Sequence, residues 1–134
     1  MMSGITGSMN LGASAMNAHA WGMAVTAHNV ANVNTAGFTP QHAVYATGPG
    51  GRGVRLDAVL QDSGVAGRLP AEVRNDPAVS AAPASVAPDF VNPSGTDPGR
   101  EMTRMISTQR TYEANAQVVR TGDAMLGTLL DLKA

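Results

Sequence analysis

The first 51 residues contain no Asp, Glu, Lys or Arg; the first charge is Arg52, and all 19 charged side chains lie from there onward. A helix on the surface of a soluble monomer normally carries charges on its outer face. Within the charge-free run, Met9, Ala13, Met16, Ala20, Met23, Ala27 and Val30 recur at alternating steps of four and three, a heptad seam. The spacing predicts a helix over about residues 8–33, with close approach of a partner helix at the alanines. Gly12 and Gly22 each weaken that helix by about 1 kcal/mol relative to Ala. Residues 1–7, with Gly4 and Gly7, are expected to be poorly ordered in isolation. A membrane span does not explain the run, because Asn10, Asn17, His19, Thr26, His28 and Asn29 interrupt it and a span needs about 20 predominantly apolar residues. A cleaved signal peptide fits badly too, since there is neither a basic leader nor a continuous apolar stretch. Burial against other protein chains is the expectation that remains.

The run ends in His28-Asn29-Val30-Ala31-Asn32-Val33-Asn34-Thr35-Ala36-Gly37-Phe38. Asn34 and Gly37 are residue types that accept left-handed backbone angles at a helix C-terminus. Thr35 can bond locally to the backbone, and Phe38 restarts an apolar segment. Residues 38–47 then read as extended: Pro40 disfavours helix at Thr39, and Val44-Tyr45 prefer strand. Gly48-Pro49-Gly50-Gly51-Arg52-Gly53 reads as a turn and Val54–Leu60 as a second strand, together a hairpin with a Gly-rich loop. Between residues 62 and 99 stand Pro70, Pro77, Pro83, Pro88, Pro93 and Pro98. Such density predicts an extended connector, with short strand pieces near Arg68-Leu69 and Phe90-Val91. A connector of this length makes more sense packed on neighbouring subunits than inside a compact domain.

The last segment carries the strongest helical signal. Asp97 suits the N-cap, Pro98 the first helical position, and Glu101 the positive end of the helix dipole. Met105, Gln109, Tyr112, Ala116, Val119 and Leu126 form one stripe, and Val118, Met125, Leu129 and Leu132 a second. Together they are wider than a two-helix seam requires. A helix over 98–132 would be about 50 Å long, against about 39 Å for the N-terminal one. The fold class expected is therefore mainly α: an antiparallel, coiled-coil-like pair of long N- and C-terminal helices, with a small β-hairpin and extended connector between. The hairpin is expected at one end of the pair. Residues 1–37 and 98–134 form the helical domain in this reading, and residues 38–97 the intervening region.

Two segments resemble a known family. Asn29, Ala31 with Asn32, Thr35, Gly37 and Phe38 are similar to the N-terminal signature of bacterial flagellar rod and hook proteins. Arg110, Tyr112, Ala114 and Asn115 resemble the C-terminal signature, and Thr121–Leu130 the closing segment of that family. Gly122 and Gly127 depart from the stiffer residues expected there. The short middle is most similar to the small proximal-rod members. The resemblance implies a structural subunit of the flagellar basal-body rod, with terminal helices in an inner layer and middle residues outside. It also implies partners: copies of the chain, other rod and hook proteins, and the flagellar type III export apparatus. Export without signal cleavage and a periplasmic position around the axis go with it. The expected assembly residues are Met9, Met16, Met23, Val30, Asn29, Asn32, Met105, Arg110, Tyr112, Asn115, Val119, Leu126 and Leu129, with Asn34, Thr35, Gly37 and Phe38 forming the helix-end turn. A helical-hairpin adaptor or export-linked binding protein is the alternative.

No constellation supports catalysis. Gly48, Gly50 and Gly53 spell a G-x-G-x-x-G string, but a strand-like segment follows where a dinucleotide site needs a helix, and Pro49 sits inside it. His19, His28 and His42 have no zinc-ligand spacing, and no cysteine is present. No nucleophile elbow accompanies the histidines. A net charge of −1 argues against a protein held on nucleic acid by phosphate contacts. No cofactor and no metal are expected. The methionines are read as packing, and the asparagines equally as caps and as interface groups.

Overall fold

The computed structural model describes residues 2–62 and 94–134. Helix α1 spans Met2–Ala31, strand β1 Gln41–Thr47, strand β2 Val54–Gln61 and helix α2 Pro98–Lys133, with a 3-10 turn at Pro49–Gly51. The architecture is mainly α, with two long antiparallel helices and a two-stranded antiparallel sheet between them in sequence. The strand pieces expected near 68–69 and 90–91 lie outside the described residues.

α1 begins earlier than its sequence suggests, because residues 2–7 continue the helix. The far end of α2 gives them something to pack on: Ile5 and Met9 lie over Gly122. α2 starts as expected, with the Asp97 Oδ1 accepting from the backbone N–H of Gly99 at 3.0 Å and of Arg100 at 3.3 Å. Pro98 then supplies a preset φ where no N–H is needed.

On α1 the expected seam holds at Met9, which packs on Gly122, and at the half-buried Met16, Met23 and Val30, but not at its alanines; the most deeply buried face is turned to α2 and the hairpin together. Its buried positions are Gly12, Ala15, Ala18, Gly22, Thr26 and Asn29, whereas Ala13, Ala20 and Ala27 are exposed. Close approach falls at glycines instead of alanines. A methyl group on Gly12 would lie 2.9 Å from Val119 Cγ2 and 3.2 Å from the Asn115 carbonyl oxygen. On α2, Glu101, Met105, Thr108, Tyr112, Asn115, Val119, Gly122, Leu126 and Leu129 run in unbroken four-three steps and are all buried or half-buried. Gln109, placed on the first stripe by its sequence, is exposed. So are Val118, Met125 and Leu132 of the second.

The hairpin does not sit at one end of the helix pair. It lies along α1, with its open end at Asn29, Tyr45 seated against Gly22, and Gly53 against Ser14. Two strands alone are marginal in water, so this flank of α1 is what supports them. The register pairs Gln41 with Gln61 and Thr47 with Val54, broken by a bulge between Val44 and Tyr45 that leaves Asp57 unpaired. In the loop, Gly50, Gly51 and Gly53 take φ of 72°, 72° and 73°, which makes the Gly-rich string a turn chemistry and not a phosphate cradle.

Candidate assembly surfaces and the junction between the helices

Where α1 ends, Asn29 is wholly buried. Its Oδ1 accepts the Gln41 backbone N–H at 2.8 Å, and its Nδ2 donates back to the Gln41 carbonyl. The side-chain amide thus imitates a strand rung and fixes where β1 begins. The second Nδ2 proton goes to Glu101 Oε2 at 3.1 Å. Glu101, only 2% exposed, also accepts from the Arg104 guanidinium at 3.1 Å through Oε1. One asparagine therefore ties α1, β1 and α2 together, and a buried carboxylate is tolerated because it is bonded on both oxygens.

The chain reversal beyond α1 is held in the same way. Asn32 Nδ2 donates to the His28 carbonyl at 2.9 Å, and Thr35 Oγ1 donates to Asn32 Oδ1 at 3.0 Å. The segment entering α2 closes over the turn: Ser94 Oγ donates to the Asn32 carbonyl at 2.9 Å, and the Gly95 N–H to the Phe38 carbonyl at 2.9 Å. The buried Thr96 hydroxyl beside them is the one buried side-chain polar atom without a partner among the described residues. Gly37, at φ 70°, supplies the left-handed residue. Asn34 does not share that role, since no described non-glycine residue has positive φ.

The three histidines are dispersed. His19 stacks obliquely on Tyr45 at 4.9 Å and His28 meets Phe38 edge-on at 5.5 Å. Burial pushes His19 below its ordinary pKa and Tyr45 above its own. No three His, Asp or Glu side chains among the described residues are grouped to hold a metal ion. No helix of the described residues is long and apolar enough to cross a membrane.

Two surfaces remain open. The face of α1 turned away from α2 exposes Ala13, Asn17, Ala20, Ala24, Ala27 and Ala31, with no charge along it. α2 exposes Met102, Ile106, Val118, Met125, Leu130 and Leu132, from 45% to 80%. Gly4, Ile5 and Ser8 of α1 and Ala114, Val118 and Met125 of α2 flank an apolar groove of about 360 Å³.

The first signature runs through the end of α1 into the chain reversal and the second lies within α2, and comparison with known proteins agrees with the resemblance. Residues 9–39 match the model described as flagella basal body rod protein. Residues 87–132 match the model described as flagellar basal body rod FlgEFG protein C-terminal. The chain belongs to the flagellar rod and hook family. It is also 39% identical over 49 residues to the flagellar hook protein FlgE of Caulobacter vibrioides, a match covering 37% of this chain and 8% of that protein. The family is one of flagellar structural proteins.

The structure distributes the sequence-selected residues unevenly. Met9, Val119, Asn115 and Asn29 lie in contacts inside the chain. Met16, Met23, Val30, Asn32, Met105, Tyr112, Leu126 and Leu129 are half-buried, and Arg110 is exposed. Sequence reasoning missed the Asn29–Glu101 bond and read Glu101 as helix-end electrostatics. A charged residue in phase with Met105, Thr108 and Tyr112 was the available signal.

Proposed function

We propose that this chain is a structural subunit of the flagellar basal-body rod, polymerising through its terminal helices with its own copies and with other rod and hook proteins. Residues 1–37 and 98–134 form the inner helical layer in this reading, and residues 38–97 lie outside it. One observation carries it: the two family signatures sit on one antiparallel helix pair whose outer α1 face is exposed and free of charge. A neutral face can be buried against a neighbour without stripping water from an ion. Apolar area contributes about 25 cal/mol per Å² as it is covered. Met16, Met23 and Val30 of α1, and Met105, Tyr112, Leu126 and Leu129 of α2, keep partly open surface for such contacts. Delivery by the flagellar type III export apparatus to a periplasmic position follows from the same reading.

Sedimentation of the purified chain over rising concentration tests it. Wild type should grow into polymers, and Ala20→Asp, at an exposed site, should block growth without changing monomer melting. Val119→Asp should damage both, because Val119 packs on Gly12. A chain that stays monomeric at every concentration, alone and with other rod proteins, would overturn the proposal in favour of an adaptor.

A further inference from the structure

Where the hairpin loop meets the first half of α1, two hollows open, of about 500 and about 460 Å³. Ser14 and Arg52 line both, so the hollows adjoin as one trough. Its α1 wall runs from Gly4 to Trp21, about 25 Å at about 1.5 Å per residue. Trp21, the only tryptophan of the chain, is 57% exposed at one end, and Leu11 and Leu56 add apolar wall. Arg52, where the hollows join, makes neither an ion pair nor a hydrogen bond through its side chain. The side-chain amides of Asn10 and Asn17 on the same wall make no hydrogen bond either. Arg55 is spent on Asp57 at 3.0 Å and on the Thr47 carbonyl at 3.4 Å. No Asp or Glu among the described residues lines the trough.

This lining disfavours several occupants. A purely apolar ligand would leave a guanidinium and two amides desolvated without partners. A nucleic-acid strand is held by many phosphate contacts, whereas the trough offers one unpaired cation on a chain of net charge −1. A peptide that joins β2 as an added strand needs the outward backbone groups of that strand. There the Val54 N–H already donates to Ser14 Oγ at 3.3 Å. The geometry points to an acidic oligosaccharide as the ligand of this trough. A sugar ring has a C–H face that the Trp21 indole can cover and a rim of hydroxyls for polar neighbours. A side-chain amide both donates and accepts, as a hydroxyl does, so Asn10 and Asn17 match hydroxyls in either sense. The Arg52 guanidinium supplies the fork for a sugar carboxylate. Such a site does not depend on the rod reading above.

Because Trp21 is the only tryptophan, its fluorescence reports this trough alone. Titrating the dilute chain with an oligogalacturonate should change that fluorescence saturably, with a Kd of about 1 mM or tighter. Replacing Arg52 in Arg52→Gln, or the ligand by an uncharged chito-oligosaccharide, should weaken binding at least about tenfold, the worth of one charge-assisted hydrogen bond. Trp21→Ala, followed by calorimetry, should abolish it. A response that never saturates, or equal binding by Arg52→Gln, overturns the assignment. Tighter binding of an oligoglutamate peptide overturns it in favour of an acidic peptide. Should Trp21→Ala misfold, Arg52→Gln decides alone, because Arg52 is exposed and bonded to no other group.

Discussion

The two ends of the helix pair are stabilised by different physics. At the Asn29 end, α1, β1 and α2 converge on Asn29 and Glu101, and directional bonds to Gln41 and Arg104 set their geometry. At the far end the helices touch through Ile5 and Met9 over Gly122, while Leu132 remains 80% exposed. Hydrogen bonds specify one arrangement and are expensive to leave unmade. Apolar contact is non-directional and can be extended by any neighbour of suitable shape. The two ends therefore differ in kind: one is fixed by directional bonds, and the other leaves apolar side chains open.

Asn29→Ala is the largest expected perturbation of this contrast. It removes three hydrogen bonds, strands the Gln41 amide and carbonyl, and leaves Glu101 with Arg104 alone. The cost should be at least about 3 kcal/mol, from about 1 kcal/mol for each of the three bonds, and the stranded groups add to it. Urea unfolding followed by circular dichroism measures it. Parity with an exposed substitution such as Asn10→Ala would mean that the junction does not lock the Asn29 end.

Much of the locked end could be read from the sequence, but not its wiring. Asp97 and Pro98 announced the start of α2, and Gly37 the reversal after α1, because caps and left-handed residues are local chemistry. Asn29 looked like one more helix-end asparagine, since its partners are 12 and 72 residues away. The alanine half of the expected α1 seam failed for a related reason. Close approach falls at Gly12 and Gly122 between the helices and at Gly22 against the hairpin, and glycines carry no side chain to register in a hydrophobic pattern. The hairpin strands were legible from Val44-Tyr45 and the Gly-rich loop. Their place along α1 was not, since it depends on Tyr45 finding the gap at Gly22.

Glycine substitutions sharpen the contrast at intermediate size and opposite sign. Gly12→Leu drives a side chain into Val119 and towards the Asn115 carbonyl, which is backbone and cannot swing away. Overpacking costs about 1–3 kcal/mol, against which the gain in helix propensity returns less than 1 kcal/mol. Net destabilisation of about 1–2 kcal/mol is expected from these two terms. Gly127→Ala meets nothing and should stabilise the monomer by up to about 1 kcal/mol. Paired denaturation curves of the two variants check both signs. Equal effects would show that glycines filled by a neighbour and glycines facing open space are not distinguished by packing.

The smallest effect concerns His19, midway along α1 and against Tyr45 of the hairpin. Burial depresses its pKa in the folded chain below 6.5, so the neutral ring is the form that packs. The unfolded chain binds the proton more tightly. Stability from this site is accordingly complete above pH 6.5 and is lost as pH falls through that value towards the folded pKa. Melting temperatures of wild type and His19→Phe, compared from about pH 8 to about pH 5.5, isolate the contribution while staying above the ordinary carboxylate range. Wild type should lose more stability than the variant over that interval. Its hairpin signals should weaken before those of the Asn29 junction, because the ring contact holds the middle of the hairpin and the junction holds its base. Parallel pH profiles would show that the hairpin is carried by Asn29 and Gly22 without help from the ring pair.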